Sequence, residues 1–593
     1  NVQAVAGFLA QLIREKEWHI QHGSLLGFKY LLLGDPAMKA FSDDLVELFG
    51  NLVSANFDDD VLSCAVENLI LLIERMSVNH FPAHLLQAVH ERVWAVLPQL
   101  DELHASIPNC LRILTMLCGR AAYEVDVKLE DKLLVLMKLA CHPSLHVRTS
   151  AIATYLSVVG SKLGEIGGVP QSFWLDQCVF WYELVLIEQD TAVVKDVLVL
   201  FEVVVKEAKF KVQDSNAKKK PGPDGAKYTE HLNHFLQLAI LEDYSQLTSR
   251  ELTFFEYLQM TNVLMGGASD AKKKGKAKSN EAKLTFGYSQ GRAPINVRAD
   301  LGYCLALYMS FVDDKNLVNT KVEELLPKKS FCCKLVAYNI MKDVMEIGHM
   351  PSPALSQHAL AHVQITYKGL SLSEVESTFQ EVAHKARAAI LGLSKLSEAT
   401  SGLSGDLQVV PLKELLKTLS QVPLSPDNHE LSKLINDVDC LEAELLFMTT
   451  RLRTAAAACS IVSKCMPPKL NFVIQPLMES VRIETDATYQ RKCALILAKL
   501  IHFCKDRSPS PNAKLVKNLC ARCVIGIESA SKEQVVNPSD TVQLGALAAL
   551  EETVQLFGGE SFVHLPMLRS RLTSSLSNVD DPECNTEDLL QNI

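Results

Sequence analysis

Apolar residues recur at intervals of three and four along much of this chain, and short polar turns separate the stripes. Residues 58–73 show the unit clearly. An Asp-Asp-Asp turn leads into β-branched Val61, a small residue follows at Ala65, and Leu69, Leu72 and Ile73 continue the stripe. Spacing of this kind places the apolar side chains on one face of an α-helix. The same text returns in residues 17–25, 145–152 and 190–197, with Ile20, Val147 and Val193 in the position of Val61. These anchors are separated by 41, 86 (twice 43) and 46 residues. Periods of about 40–47 residues mark HEAT and armadillo arrays, in which each unit is a helical hairpin. The unit between Val61 and Val147 falls near residues 103–114, where the pattern is degenerate. Tyr489 with Cys493, and Val542 with Ala546, read as later members of the series.

Packing accounts for the pattern. A single hairpin cannot bury its stripe, so the next one covers it, and the small residue lets paired helices approach. The acidic turn caps the second helix and complements its N-terminal dipole. Pro36, Pro82, Pro98 and Pro143 stand near turns, where a missing N–H does no harm. The predicted fold is all-α, a HEAT/armadillo-like α-solenoid superhelix. Its parts are HEAT repeats over 1–212, a Lys-rich loop at 213–227, helices over 228–265 and a second Lys-rich loop at 266–283. HEAT repeats then occupy 284–396, an irregular Ser/Gly/Pro-rich loop 397–429, further repeats 430–577 and a tail 578–593.

Composition agrees with helices and changes the picture in two places. The 593 residues are 48% hydrophobic and only 7% aromatic, which favours helices over a many-stranded architecture. The formal net charge of -10 excludes a simple polyanion binder. Sixteen cysteines are scattered, many within apolar helical stripes, as at Cys64, Cys110, Cys118 and Cys493. They read as small buried hydrophobes in a reducing compartment rather than as disulfides. The most apolar stretch, residues 197–205, is interrupted by Glu202 and too short to span a bilayer. With no signal peptide opening the chain, the expectation is a soluble intracellular protein without a membrane partner.

Candidate chemistry is sparse. Lys218, Lys219 and Lys220 in the first insert, and Lys272, Lys273, Lys274, Lys276 and Lys278 in the second, could act in nuclear import or on DNA phosphates. Solvated loops are the commoner reading of such runs. Gly275-Lys276 is not a phosphate loop, because Asp270 stands where glycine is needed and Ala277 replaces Ser or Thr. Cys520 and Cys523 have the spacing of half a zinc site, but no second pair accompanies them. His358 with His362, and His142 with His146, lie one helical turn apart without the Glu of a zinc hydrolase; they read as helical surface histidines. No nucleophile elbow or dinucleotide fingerprint is present. The chain is therefore expected to be no enzyme and to hold no metal or cofactor. Asp58, Asp59 and Asp60 form the densest acidic patch on a well-formed repeat. They suit a basic partner surface, although helix capping explains them as well, and Phe57 beside them suits a hydrophobic staple.

Particular runs resemble a known family. Trp18-His19-Ile20-Gln21-His22-Gly23-Ser24-Leu25-Leu26-Gly27-Phe28-Lys29-Tyr30 is similar to the W-E-V-R-H-G-G-L-L-G-x-K-Y repeat of the B-TFIID TATA-box-binding-protein-associated factors, the modifier-of-transcription ATPases. Residues 470–479 resemble that family's L-N-x-x-I-x-P-L-M-E. Residues 511–520, Phe557-Gly558-Gly559-Glu560 and Leu565-Pro566 follow in the expected order. The resemblance implies a HEAT scaffold that grips TATA-binding protein in the nucleus. It would couple that protein to a Snf-type ATPase that strips it from promoter DNA. ATP and Mg would belong to that motor, which lies outside this chain, and DNA would be met indirectly or through the Lys-rich loops. The chain opens on Asn1 within a repeat, which reads as a fragment of a longer polypeptide or an incomplete gene model, and the resemblance implies that the family's earliest repeats lie outside it. Gln21 departs from the family's Arg, which would alter a local salt bridge. A HEAT adaptor or transport receptor for other cargo is the rival reading, and an enzyme with an unrecognised site in 397–429 is another.

Overall fold

In the computed structural model the described residues are 2–34, 42–55, 58–76, 81–100, 105–118, 129–160, 170–208, 223–241, 244, 252, 292–310, 315–348, 352–363, 371–378, 429–530, 541–566 and 568. Every regular element among them is a helix and none is a β-strand. Two compact units are present. The first holds residues 1–235, 244–293 and 311–313, and the second holds 236–243, 294–310 and 314–593.

Among the described residues the first unit contains five hairpins: α1 (Val2–Leu12) with α2 (Trp18–Gly34), α3 (Ser42–Ala55) with α4 (Asp59–Met76), α5 (Ala83–Val96) with α6 (Ile107–Cys118), α7 (Leu129–Leu139) with α8 (Leu145–Gly160), and α9 (Gln171–Ile187) with α10 (Thr191–Glu207). The second helices of successive hairpins pack on one another in chain order, α2 on α4, α4 on α6, α6 on α8 and α8 on α10. Each of the anchors Ile20, Val61, Val147 and Val193 is the third residue of its helix. Val61, Val147 and Val193 are buried, as are Ala65 and Ala151 one turn on. The hairpin with the degenerate pattern is α5–α6. Its α6 carries the same apolar face through Cys110, Leu111, Leu114 and Leu117, all buried.

The repeat period is visible in hydrogen bonds as well as in packing. Asn68 Nδ2 donates to the Leu25 carbonyl at 2.9 Å, Asn109 Nδ2 to Ser63 Oγ at 3.2 Å and Thr154 Oγ1 to the Leu111 carbonyl at 3.0 Å. Lys29 pairs with Glu67 at 2.7 Å and Arg112 with Glu74 at 2.6 Å. Each of these spans roughly one repeat in sequence. Neighbouring hairpins are thus held by directional bonds in addition to apolar burial, which is itself non-directional.

Helix α11 (Pro223–Ala239) starts inside the stretch 213–227 read from sequence as a loop. Pro223 is its first residue, a position at which proline is favoured because that N–H has no helical acceptor. Its Tyr228, Leu232 and Phe235 are buried, and the Phe235 ring stacks on Tyr182 of α9 at 4.1 Å. The division between units falls after Phe235, within the span 228–265 expected to be HEAT helices.

The second unit contains α12 (Pro294–Ser310), α13 (Lys315–Leu325), α14 (Phe331–Glu346), α15 (Pro353–His362), α16 (Leu372–Thr378), α17 (His429–Val462), α18 (Asn471–Ile483), α19 (Ala487–Phe503), α20 (Asn512–Ala530), α21 (Thr541–Phe557) and α22 (Ser561–His564). Helix α14 packs on α12 and α17, and α21 packs on α18, α19 and α20. The stretch 197–205 is not the one nearest to a membrane span. Residues 442–462 of α17 are long and apolar enough by length and composition, and 78% of that window is buried. The window carries Arg451 and Arg453, and its apolar side chains pack against α14, α15 and α18. This is the setting of a core helix.

Candidate partner-binding surfaces

The acidic turn ahead of α4 separates into three roles. Asp58 caps α4, its Oδ1 accepting from the Val61 N–H at 3.2 Å. Asp59 reaches across to the next repeat, where Oδ2 accepts from the Ala105 N–H at 2.8 Å and Oδ1 from the Ser106 N–H at 3.0 Å. These donors precede the first turn of α6, so one carboxylate pins the entry of the following hairpin's second helix. Asp60 is exposed. Charge-assisted bonds to otherwise unsatisfied N–H groups are worth more than neutral ones. Asp59→Ala is therefore expected to cost about 1–2 kcal/mol of stability, whereas Asp60→Ala changes it by less than about 0.5 kcal/mol. Chemical denaturation of the two variants side by side checks this, and equal stabilities would contradict the assignment. The eight lysines of the two Lys-rich runs, Phe57 and residues 397–428 lie outside the described residues.

A recurrent device passed unnoticed in the sequence, and among the described residues each unit carries a copy. Glu188 ends α9 and Asp190 caps α10, Asp190 Oδ1 accepting from Ala192 N at 2.9 Å and Val193 N at 3.1 Å. Between them Glu188 Oε1 accepts from Asp190 N at 2.9 Å, while its carboxylate receives Arg148 Nε at 2.8 Å and Nη2 at 3.1 Å. In the second unit Glu484 ends α18 and Asp486 caps α19 through the Tyr489 N–H at 2.8 Å. Glu484 accepts from Asp486 N at 3.1 Å and pairs with Arg451 Nε at 2.6 Å. Arg451 donates to Asn296 Oδ1 at 2.6 Å, and Asn296 Nδ2 donates to Asp486 Oδ2 at 3.0 Å, closing a ring of four residues through the Asp486 backbone N–H. The Arg451 guanidinium lies 3.3 Å from the Tyr489 ring centroid. A Glu-x-Asp turn immediately before a helix, with an Arg some 33 to 40 residues upstream, was the available signal.

The Trp18–Tyr30 run, which bears only a resemblance to the family motif, divides between two faces of α2. Ser24, Leu25 and Phe28 point inward, while Trp18, Leu26, Tyr30 and Leu33 are exposed, Tyr30 by 74%. Gln21, where the family has Arg, is buried and donates from Nε2 to the carbonyls of Ile13 at 3.1 Å and Glu15 at 2.8 Å. In this chain it fastens the α1–α2 turn. The exposed Tyr30 row, with Phe8 of α1 also 59% exposed, offers contact area that sequence periodicity alone did not mark.

The titratable candidates behave as structural groups. Burial pushes the thiols of Cys64 and Cys523 up to about 11 and those of Cys110 and Cys493 up to about 12. Such thiols stay protonated at neutral pH and are poor nucleophiles and poor metal ligands. His358 and His362 are not simply surface residues. Their rings stack at 4.8 Å, and His358 Nδ1 lies 3.3 Å from the Tyr338 hydroxyl. Burial lowers the pKa of both, since α15 turns this pair toward α14. Among the described residues no group of three or more His, Cys, Asp or Glu is placed to hold a metal ion.

Comparison with known proteins places these features. A family model described as a domain of unknown function, DUF3535, matches residues 408–529, the stretch that holds Arg451, Glu484 and Asp486. The human TATA-binding protein-associated factor 172 is 22% identical over 596 aligned positions, covering 88% of this chain and 29% of the relative. The TATA-binding protein-associated factor BTAF1 of Arabidopsis thaliana is 36% identical over 103 positions, covering 17% of this chain and 5% of the relative. The chain thus spans less than a third of the length of the curated relatives it matches. Helices stacked in chain order and this similarity along most of its length support a BTAF1-like HEAT region.

Proposed function

We propose that this chain is a non-catalytic scaffold that binds TATA-binding protein in the nucleus. It couples that protein to a Snf-type ATPase carried by a longer polypeptide, and the ATPase removes it from promoter DNA. The observation that carries the reading is the similarity to a TATA-binding protein-associated factor over 88% of the chain. Physical support comes from the bonds between repeats. Hairpins cross-linked by Asp59, Asn68, Thr154 and the Arg148–Glu188 pair resist sliding past one another, as a scaffold that transmits force requires. The exposed Asp60 and the Tyr30 row supply acidic and aromatic contact surface, and aromatic residues are enriched at protein interfaces. The lysine runs supply phosphate contacts, with ATP and Mg confined to the motor.

A pull-down of the purified chain with TATA-binding protein at moderate salt tests the binding step, and retention is the expected result. Loss of all retention at that salt overturns the reading. DNA-stimulated ATP hydrolysis by the pure chain would overturn its non-catalytic part.

A further inference from the structure

The row of first helices in the first unit is closed at one place and open at another. Between α3 and α5 the helices meet closely at Gly50, where an added Cβ would lie 2.9 Å from Arg92 Nη1 and 3.2 Å from Val89 Cγ2. Helix α1 leans instead on α2, its Leu9 pressed against Gly27, where a Cβ would meet Leu9 Cδ1 at 3.0 Å. A groove of about 890 Å³ is left between α1 and α3. Its floor is apolar, with Ala6 and Ala10 from α1 facing Leu45, Leu48 and Leu52 from α3. Its α3 rim is acidic. Asp44 and Glu47, one helical turn apart and both exposed, border the opening, while Arg14 is the one basic lining residue. From Gln3 along α1, and on through Ile13 to Arg14 in the turn beyond it, this wall runs about 16 Å, roughly three helical turns.

We infer that this groove is a docking site for an amphipathic α-helix of a partner protein, with an apolar stripe and a basic flank. Small side chains on one wall and leucines on the other leave room for inserted aliphatic side chains, the helix-in-groove mode of recognition. The flank is assigned by charge. Lys or Arg at positions three or four apart on the docked helix would stand opposite Asp44 and Glu47, which are spaced the same way. An acidic helix would meet two like charges at that rim. This inference rests on the groove alone and is independent of the TATA-binding protein reading.

The test uses the full chain and fluorescence anisotropy with three labelled peptides of about 14 residues, long enough for the three turns of the wall. One is an amphipathic Leu/Lys helix, one is its twin with every Lys changed to Glu, and one is a Lys/Ser peptide without the apolar stripe. The Leu/Lys helix is expected to bind at least about tenfold more tightly than either control, a difference of about 1.4 kcal/mol. The double variant Asp44→Lys/Glu47→Lys is expected to reverse the preference between the Leu/Lys and Leu/Glu helices. Ala10→Trp, which fills the groove from α1, is expected to abolish binding of both. An unchanged preference in the double variant overturns the inference, as does equal binding of the Lys/Ser peptide or no binding by the Leu/Lys helix. Unaltered thermal melting of both variants keeps any loss of binding from being a loss of fold.

Discussion

Arg451→Met is expected to destabilise the second unit by about 3–5 kcal/mol, the range for removing one partner of a buried ion pair. The side chains of Arg451 and Glu484 are 2% and 1% exposed, so the carboxylate left behind has no water to turn to. The loss extends beyond one pair. Arg451 also orients Asn296, and Asn296 holds the Asp486 carboxylate that caps α19. Its guanidinium stacks on the Tyr489 ring as well, a cation–π contact that strengthens when desolvated. Glu484→Gln alone is expected to cost a comparable amount, because it leaves the guanidinium uncompensated. The double variant Arg451→Met/Glu484→Met is expected to recover much of the loss, since a well-packed apolar pair often replaces a buried ion pair at little cost. Chemical denaturation of the three variants against the parent chain reads the cycle. Strictly additive losses, or a single-variant loss below about 1 kcal/mol, would show that the ring does not hold α12, α17 and α19 together.

Gly545→Ala is expected to cost about 3 kcal/mol, at the upper end for overpacking a tight core. A Cβ built there would lie 2.0 Å from the Val481 carbonyl oxygen and 2.5 Å from Gln490 Nε2. The obstruction is backbone at one side and a hydrogen-bonded amide at the other, Gln490 Nε2 donating to that same carbonyl at 3.0 Å. Neither can rotate away, so α21 must lift from α18. Glycine inside a helix ordinarily costs about 0.5–1 kcal/mol relative to alanine, and here close approach of two helices outweighs that penalty. Gly23→Ala is the contrasting control. It sits within α2 with nothing within 4 Å of the added carbon, and is expected to be neutral or to stabilise by up to about 1 kcal/mol. Thermal melting of the two variants separates the effects, and equal shifts would sink the close-approach argument.

What the sequence by itself determined is the fold class and the phase of the repeat. Period and stripe are properties of single helices, written in the order of the residues, and the structure finds Val61, Val147 and Val193 each at the third position of its helix. The capping role of Asp58 and Asp190 is equally local and was equally legible. Resemblance at Trp18–Tyr30 and at residues 470–479 pointed to the transcription-factor family that the comparisons then supported.

Tertiary structure alone decided which polar side chains bridge neighbouring repeats. Asp58, Asp59 and Asp60 are identical as letters, yet the first caps its own helix, the second holds the next repeat and the third faces solvent. The difference lies in where α6 arrives, which no local pattern encodes. The Arg451–Glu484–Asp486–Asn296 ring and the groove between α1 and α3 depend in the same way on residues far apart in the chain. Apolar periodicity fixes which face of a helix is buried, because burial scales with area and has no direction. Hydrogen bonds and ion pairs need a partner at a particular distance and angle, and that partner is settled only when the helices have stacked.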